Sequence, residues 1–420
     1  MKPKRILMIL AAVVFLFLCG VIVRFNLENQ GTKKEKTDQI KTITLLAPYK
    51  SASSRQILQE TAGEYENKTG GVKVQIEFVN REDYKKEINM RMDSDNSADL
   101  IICDSTAMPA FIDMGVFRDL SDYVTSEKKN SIRYQPLWES DRSNGKYYGI
   151  PFTCDPYVLF YNKDLMEAKG LSLPEKWDDI IGLCDDISDY GSHGFGFPGK
   201  SQDERTTMYT CLLYSMGGSF RNINKDGGIH ALTFLQTLTD RSDIPENLIN
   251  LSKEDLSYEF ASGKVKMMAN SLSSIKILRS QKLSFQPGVA ALPRGVRSSC
   301  IFMGENIGVT KHADQETMDF LDYLYEPQVM GRITCAMSTL PLLQTDPDHT
   351  KNRNIDDGEH LADAFLENGY IVEPQDAWFE ISSVISECVY GVLSDQEDES
   401  ADVLGDQVHS RVRAAIIDKK

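Results

Sequence analysis

The chain has 420 residues, of which 41% are hydrophobic and 26% charged, with a formal net charge of −16. Two domains of roughly 150–200 residues are expected for that length, and the composition excludes a disordered or polytopic chain. A body this acidic repels phosphate backbones and anionic lipid heads, which argues against a nucleic-acid partner and, through long-range steering, favours a neutral or cationic small molecule.

At the N-terminus Lys2, Lys4 and Arg5 precede an apolar run from Ile6 to Val23, interrupted only by Gly20. This is the pattern of an export signal, and the run is just long enough to span a bilayer as a helix. Two readings stay open. Leu16-Phe17-Leu18-Cys19 resembles a lipidation site with Cys19 as the acyl acceptor, although Leu18 is larger than the residue usually found there. Alternatively, residues 1–25 stay as an uncleaved anchor. Both, like simple secretion, place the body outside the cytoplasm. Residues 26–41 read as a polar tether. The seven cysteines at 103, 154, 184, 211, 300, 335 and 388 cannot all pair, since their number is odd, and have no metal-type spacing. They are expected to be small buried hydrophobes.

The body opens with a buried strand, Ile43 to Ala47. A helix over 53–67 follows, then a strand in which Val72, Val74, Ile76 and Phe78 alternate with polar residues. A polar helix near 82–93 and a strand at 99–103 complete a strand–helix–strand–helix–strand order, the mark of a parallel α/β sheet. Ligands of open sheets bind at the carboxyl ends of strands. That rule selects Tyr49 and Lys50 after the first strand and Asp104 and Thr106 after the third. Helices are expected over 177–187, 206–216, 229–239 and 253–262, and strands over 265–269 and 288–292. An apolar segment spans 301–309, broken by Gly304-Glu305-Asn306, and the part beyond 313 is mostly helical.

From Thr42 to the end, a series of short motifs occurs in one order. They include Ala98-Asp99-Leu100-Ile101, Phe111-Ile112-Asp113-Met114-Gly115-Val116-Phe117 and Gly145-Lys146-Tyr147-Tyr148-Gly149-Ile150-Pro151. Further along come Leu159-Phe160-Tyr161-Asn162-Lys163-Asp164-Leu165, Phe260-Ala261-Ser262-Gly263-Lys264-Val265 and Gly304-Glu305-Asn306-Ile307-Gly308-Val309. Their co-linearity over about nine-tenths of the chain resembles the extracellular solute-binding proteins of sugar-type ABC importers, the maltose-binding-protein-like group.

The resemblance implies an α/β, two-lobed periplasmic-binding-protein fold. Each lobe would be a mostly parallel sheet flanked by helices, and hinge strands would join the two. Transferred to this chain, lobe one covers 42–153 plus 288–325, and lobe two covers 154–287 plus 326–420. It also implies a non-enzymatic function without cofactor: capture of a small neutral solute, a sugar above all, between the lobes. Delivery would be to ABC permease subunits at the outer face of the membrane, which the chain would touch through its N-terminal segment.

By the resemblance, Trp378 aligns with an aromatic that stacks on sugar, and Asp155 with a carboxylate that binds a hydroxyl. Trp378 is either cleft-facing or core, and Asp155 either ligand-facing or a strand-end cap. Asn270 and Glu305 are further candidates. Trp177 reads as packing. Where the family commonly places a stacking Trp, this chain has Ala269-Asn270-Ser271-Leu272-Ser273-Ser274, so Tyr49, Phe152, Tyr157 and Phe220 are the possible substitutes.

Competing chemistries are weaker. Residues 194–201 match the phosphate-loop pattern GxxxxGK[ST], but the stretch before them is mostly polar and no acidic strand end follows to hold magnesium. A carbohydrate-processing or sensing protein on the same fold is the nearer alternative. Asp93, Asp95, Ser97 and Asp99 alternate as in a calcium loop but lack its central Gly and terminal Glu. The six histidines are scattered, and neither HExxH nor GxSxG occurs. Composition alone does not exclude a convergent carboxylate pair.

Overall fold

A computed structural model describes residues 40–92, 97–345, 358–394, 396 and 399–418. The anchor, Cys19, the tether up to residue 39 and the acidic turn at 93–96 lie outside the described residues. Strand β1 (Lys41–Ala47) buries Ile43, Leu45, Leu46 and Ala47 completely. Helix α1 (Ala52–Thr69) starts at Ser51, whose hydroxyl accepts the Ser54 amide at 3.2 Å, and stops at Gly70, φ +70°. A hydroxyl N-cap and a left-handed glycine are the local signals that set such boundaries. Strand β2 (Val72–Phe78), helix α2 (Tyr84–Arg91), strand β3 (Leu100–Asp104) and helix α3 (Met108–Asp113) follow. A short hairpin, β4 (Arg142–Ser143) and β5 (Lys146–Tyr147), leads into β6 (Gly149–Pro151).

The chain then crosses to a second sheet. Its strands are β7 (Tyr157–Asn162), β8 (His193–Gly196), β9 (Val265–Ser271) and β10 (Pro287–Ala290), and β11 (Glu305–Val309) returns to the first sheet. The first sheet runs β2-β1-β3-β11-β6 and the second β10-β7-β9-β8. The helices that matter below are α4 (Gln202–Ser215), α5 (Lys253–Ala261), α6 (Ile275–Ser280), α7 (Pro327–Met337) and α8 (Trp378–Leu393).

The two-lobed α/β fold is the expected one, but the sheets are mixed rather than mostly parallel. β1 and β3 are parallel, as are β8 and β9. β11 is antiparallel to both β3 and β6, and β7 to both β9 and β10. The reason is the route of the chain: β11 comes back from the second lobe and enters at the end where β3 finishes, so it runs the opposite way.

The expected lobe boundaries shift for related reasons. β10 lies in the range assigned to lobe one, yet it pairs with β7 in the second sheet. α7 lies in the range assigned to lobe two, yet it packs on α1 of the first lobe, where Arg332 pairs with Glu64.

Two crossings are pinned together at the hinge. The Phe152 and Thr153 amides donate to the Glu305 carbonyl at 2.8 and 3.0 Å, and the Asp155 amide donates to the Met303 carbonyl at 2.7 Å. Gly304, φ +155°, lets the strands approach this closely, since a Cβ there would sit 2.1 Å from the Thr153 carbonyl oxygen. Cys103, Cys154, Cys184, Cys211 and Cys300 are buried thiols. Among the described residues, no helix is long and apolar enough to cross a membrane.

Candidate functional site: a charged cleft between the lobes

The carboxyl ends of β1, β2 and β3 deliver Tyr49, Arg81 and Asp104 to one place. Glu305 joins them because it is the register partner of Asp104 across β3 and β11. Arg81 binds Asp104 and, at 3.1 Å, Glu305. Glu305 also accepts from the Thr153 hydroxyl, and its own amide donates to that oxygen at 2.9 Å. Burial alone would lower the Arg81 pKa, but the charges of Glu305 and of Asp203, in the second lobe, outweigh it and raise the pKa. The Tyr49 phenol is buried among Glu305, Arg81 and Asp155, and among the described residues its hydroxyl has no hydrogen-bond partner. A buried hydroxyl left this way is costly unless something else supplies a bond.

The second lobe contributes the ends of β9, α4 and α5. Asp155, on the hinge, accepts the Ser273 amide at 2.8 Å and the Ser273 hydroxyl at 2.7 Å. Burial still pushes its pKa up, with the Lys253 charge opposing. Asp203, in the first turn of α4, is raised by burial and partly held down by Arg81. Lys276, at the start of α6, is pushed down by burial and held up chiefly by Asp155. Arg81 and Asp203 therefore sense each other across the cleft, as do Lys276 and Glu305.

Nearby, a small space is bounded by Ser105, Thr106 and Ser140 of the first lobe, by Phe302 and by the 371–378 segment ending in Trp378. The lobes also touch beside it. Phe379 meets Phe111 of α3 edge-on, with ring centroids 5.1 Å apart. Lys85 Nζ lies 4.2 Å from the Phe379 ring centroid and 3.6 Å from Glu380.

Tyr49, Asp104, Asp155 and Glu305 thus share one charged cluster, while Thr106 and Trp378 line the neighbouring space. Trp378 is 6% exposed and packs at 5.8 Å on Phe220, so it combines both of its readings, wall and core. Tyr157 is largely buried in β7 but within electrostatic reach of Asp155. Phe152, Phe220 and Asn270 belong to the scaffold instead, and Lys50 lies outside the cluster. Phe152 is fully buried, as is the possible substitute Phe220. The Asn270 amide donates to the Lys253 carbonyl at 3.0 Å and to Ser257 at 3.2 Å, and its oxygen accepts the Ser271 amide. Lys50 points to solvent, 4.0 Å from Glu82. Trp177 donates to Ser215 at 2.8 Å inside the second lobe, and Trp138 is buried against Tyr147.

Arg81, Asp203, Lys253, Ser273 and Lys276 escaped the sequence reading. Arg81 was within reach of it, because the rule applied after β1 and β3 applies equally after β2. Asp203, Lys253 and Lys276 lie at the starts of three helices, with Ser273 in the short turn before the last of them, and carried no local signal.

No buried strand leads into the phosphate-loop match; instead β8 (His193–Gly196) takes up its first three residues, Gly194, Phe195 and Gly196, which are buried. Its donors are also consumed. The Gly199 and Lys200 amides both donate to the Leu251 carbonyl, at 3.0 and 3.2 Å. The Ser201 amide donates to Glu204 at 2.8 Å, in a capping box that starts α4. Arg205 binds the Gly199 and Lys200 carbonyls. No amide from 199 to 201 remains to cradle a phosphate.

A family model described as "Bacterial extracellular solute-binding protein" matches residues 51–331. A putative binding protein of Brucella abortus is 23% identical over 338 residues, 74% of this chain and 82% of that protein. The multiple sugar-binding protein of Streptococcus mutans is 24% identical over 209 residues, 45% of this chain and 50% of that one. Among solved structures, an ABC transporter solute-binding protein of Agrobacterium radiobacter in complex with ribitol superposes with a TM-score of 0.76 at 19% identity, covering 89% of this chain and 98% of that one. A maltose-bound binding protein of T. maritima gives 0.74, also at 19% identity, over 89% and 99%. With the match spanning most of the body and the two-lobed fold built around one cleft, the chain belongs to the bacterial extracellular solute-binding protein family.

Proposed function

We propose that this protein is the extracytoplasmic substrate-binding component of an ABC importer. It captures a small solute, a carbohydrate, in the interlobe cleft, and hands it to permease subunits encoded elsewhere. Its N-terminal segment holds it at the outer face of the membrane, as an anchor or through acylated Cys19. The observation that carries this reading is the convergence of groups from both lobes on one cleft: Arg81, Asp104 and Glu305 from the first, Asp155 and Asp203 from the hinge and the second. Only a ligand touched by both lobes favours the closed arrangement over the open one. Hydroxyl groups, which donate and accept, suit a cleft holding carboxylates, ammonium groups and an unpartnered phenol together. Ribitol, maltose and tagatose are bound by proteins of similar fold.

The test is a thermal-shift screen of the purified protein against sugars and polyols. A solute at 100 times its Kd stabilises the folded state by about 2.7 kcal/mol, and it should be recovered chemically unaltered after incubation. A full panel of mono- and oligosaccharides and polyols that shifts nothing would refute the carbohydrate assignment, and cleavage of an oligosaccharide would refute pure binding.

A further inference from the structure

Where β9 ends beside the start of β7, the ladder between the two strands runs on into a side chain. Tyr157 is the register partner of Ser271, and the Leu272 amide donates to the Pro156 carbonyl at 2.9 Å. The next amide, that of Ser273, meets the Asp155 carboxylate at 2.8 Å in place of a carbonyl. The Ser273 hydroxyl donates to the second oxygen of the same carboxylate at 2.7 Å. One residue of the second lobe thus grips both oxygens of a carboxylate 118 positions away in the chain. Behind it, Ser271 Oγ lies 3.2 Å from Ser273 Oγ and 3.5 Å from Ser274 Oγ. Because the Ser273 proton goes to Asp155, Ser271 is the donor to Ser273, and the row of hydroxyls is polarised towards the carboxylate. The Asp155 backbone is fixed from the other side, through its amide on the Met303 carbonyl at 2.7 Å.

This is more than a turn cap needs. One neutral acceptor holds a turn amide, and asparagine supplies it without placing a charge in a buried site. Here burial raises the Asp155 pKa, the Lys253 charge and the Ser273 bonds oppose the rise, and Glu305 adds to it. The other groups facing Asp155 are Lys276 at the start of α6, the Tyr49 and Tyr157 phenols and the Cys154 thiol. An ionised carboxylate offers about four acceptor sites. Ser273 occupies one on each oxygen, and both Asp155 and Ser273 remain partly accessible.

We propose that Ser273 is a positioning residue for solute capture: its amide and hydroxyl fix the plane of the Asp155 carboxylate, so that the acceptor site left on each oxygen receives hydroxyl protons of the solute. This rests on the reading of the cleft as a solute-capture site in which Asp155 touches the solute. Ser273 acts through Asp155, by keeping it ionised and in one orientation before the solute arrives.

The experiment is calorimetry on the purified full-length protein with the panel of mono- and oligosaccharides and polyols, ribitol, maltose and D-tagatose among them, from about pH 5 to 8. Asp155→Asn keeps an acceptor for the Ser273 amide, and the Ser273 hydroxyl accepts from the new side-chain amide. That variant should melt as wild type does, while every panel member that binds wild type loses about tenfold or more in affinity. Ser273→Ala should weaken the same solutes by about five- to tenfold. Affinity falls as pH drops through the Asp155 pKa, and removing a bond that favours the ionised form raises that pKa. The acid limb of the affinity profile should therefore lie at higher pH in Ser273→Ala than in wild type. Ser273→Thr, which keeps the hydroxyl, should restore both the affinity and the limb. Affinity and acid limb unchanged in Ser273→Ala, or affinity unchanged in Asp155→Asn, would overturn the inference and leave solute capture intact. A loss in Ser273→Ala that is equal at every pH makes Ser273 ordinary packing and overturns it as well. If no panel member binds wild type, the inference falls together with the reading it rests on.

Discussion

Phe379 should control how readily the lobes stay together, although it does not line the space beside Trp378. It is the residue after Trp378 in the first turn of α8, and it reaches the other lobe. Its ring meets Phe111 at 5.1 Å and an interplanar angle of 68°, and Lys85 Nζ sits 4.2 Å above it. An edge-to-face pair contributes about 0.5–1.5 kcal/mol, and an exposed cation–π contact about 0.5–1 kcal/mol. The 3.6 Å contact between Lys85 and Glu380 joins side chains that are 41% and 47% exposed, so it adds little. Phe379→Ala should therefore remove about 1–2.5 kcal/mol from the touching arrangement only.

Apparent affinity falls in proportion to the closed fraction, so the Kd of any cleft solute should rise by up to roughly 5–70-fold. The solute itself touches nothing that has changed. Calorimetry on wild type and variant gives the affinity, and small-angle scattering gives the radius of gyration, which should increase in the unliganded variant. Unchanged affinity and radius with a lowered melting temperature would refute the reasoning and make Phe379 ordinary packing.

Three further outcomes follow from single residues, and a fourth from ATP. Gly304→Ala should destabilise the hinge by about 1–3 kcal/mol or more, because its Cβ would collide with the Thr153 carbonyl; urea unfolding measures this. Asp141 is fully buried, among the described residues neither of its carboxylate oxygens has a partner of good hydrogen-bond geometry, and burial raises its pKa while the Asn306 amide beside it opposes the rise. A raised folded-state pKa means that its contribution is fully present below the unfolded value, about 4, and is lost as pH climbs towards the folded value. Asp141→Asn should accordingly stabilise the protein by about 1 kcal/mol or more at pH 7 and by much less at pH 4, as read from melting curves. Ser201→Ala should cost about 1 kcal/mol by uncapping α4, and ATP should not stabilise either form.

Much of the first lobe was legible in the sequence. The alternation Val72-Val74-Ile76-Phe78 is β2, and the apolar runs at 43–47 and 100–103 are β1 and β3, because a half-buried strand imprints period 2 and a fully buried one a short apolar run. Tyr49, Asp104 and Thr106 followed from strand ends alone. What escaped depended on long-range geometry. The apolar segment 301–309 is broken in sequence at Gly304-Glu305-Asn306, but that break did not place the strand start at Glu305, which is set by the turn of the chain at the hinge. The expected helix 206–216 begins earlier, at Gln202, because its cap Ser201, paired with Glu204 in a capping box, was taken as the last residue of the phosphate-loop match. β10 gave a correct local pattern in the wrong lobe, as nothing in Pro287–Ala290 says which sheet it will join. Arg81, Asp203, Lys253 and Lys276 are ordinary polar residues in sequence, and only folding brings them to one cleft.

The central claim is that one solute is held by both lobes at once. It is tested most directly by measuring the affinity of the same solute for Arg81→Ala, in the first lobe, and Asp203→Asn, in the second. Both variants should retain a folded, cooperatively melting protein and bind at least tenfold more weakly than wild type. Affinity unchanged in either variant would contradict a site closed from both sides.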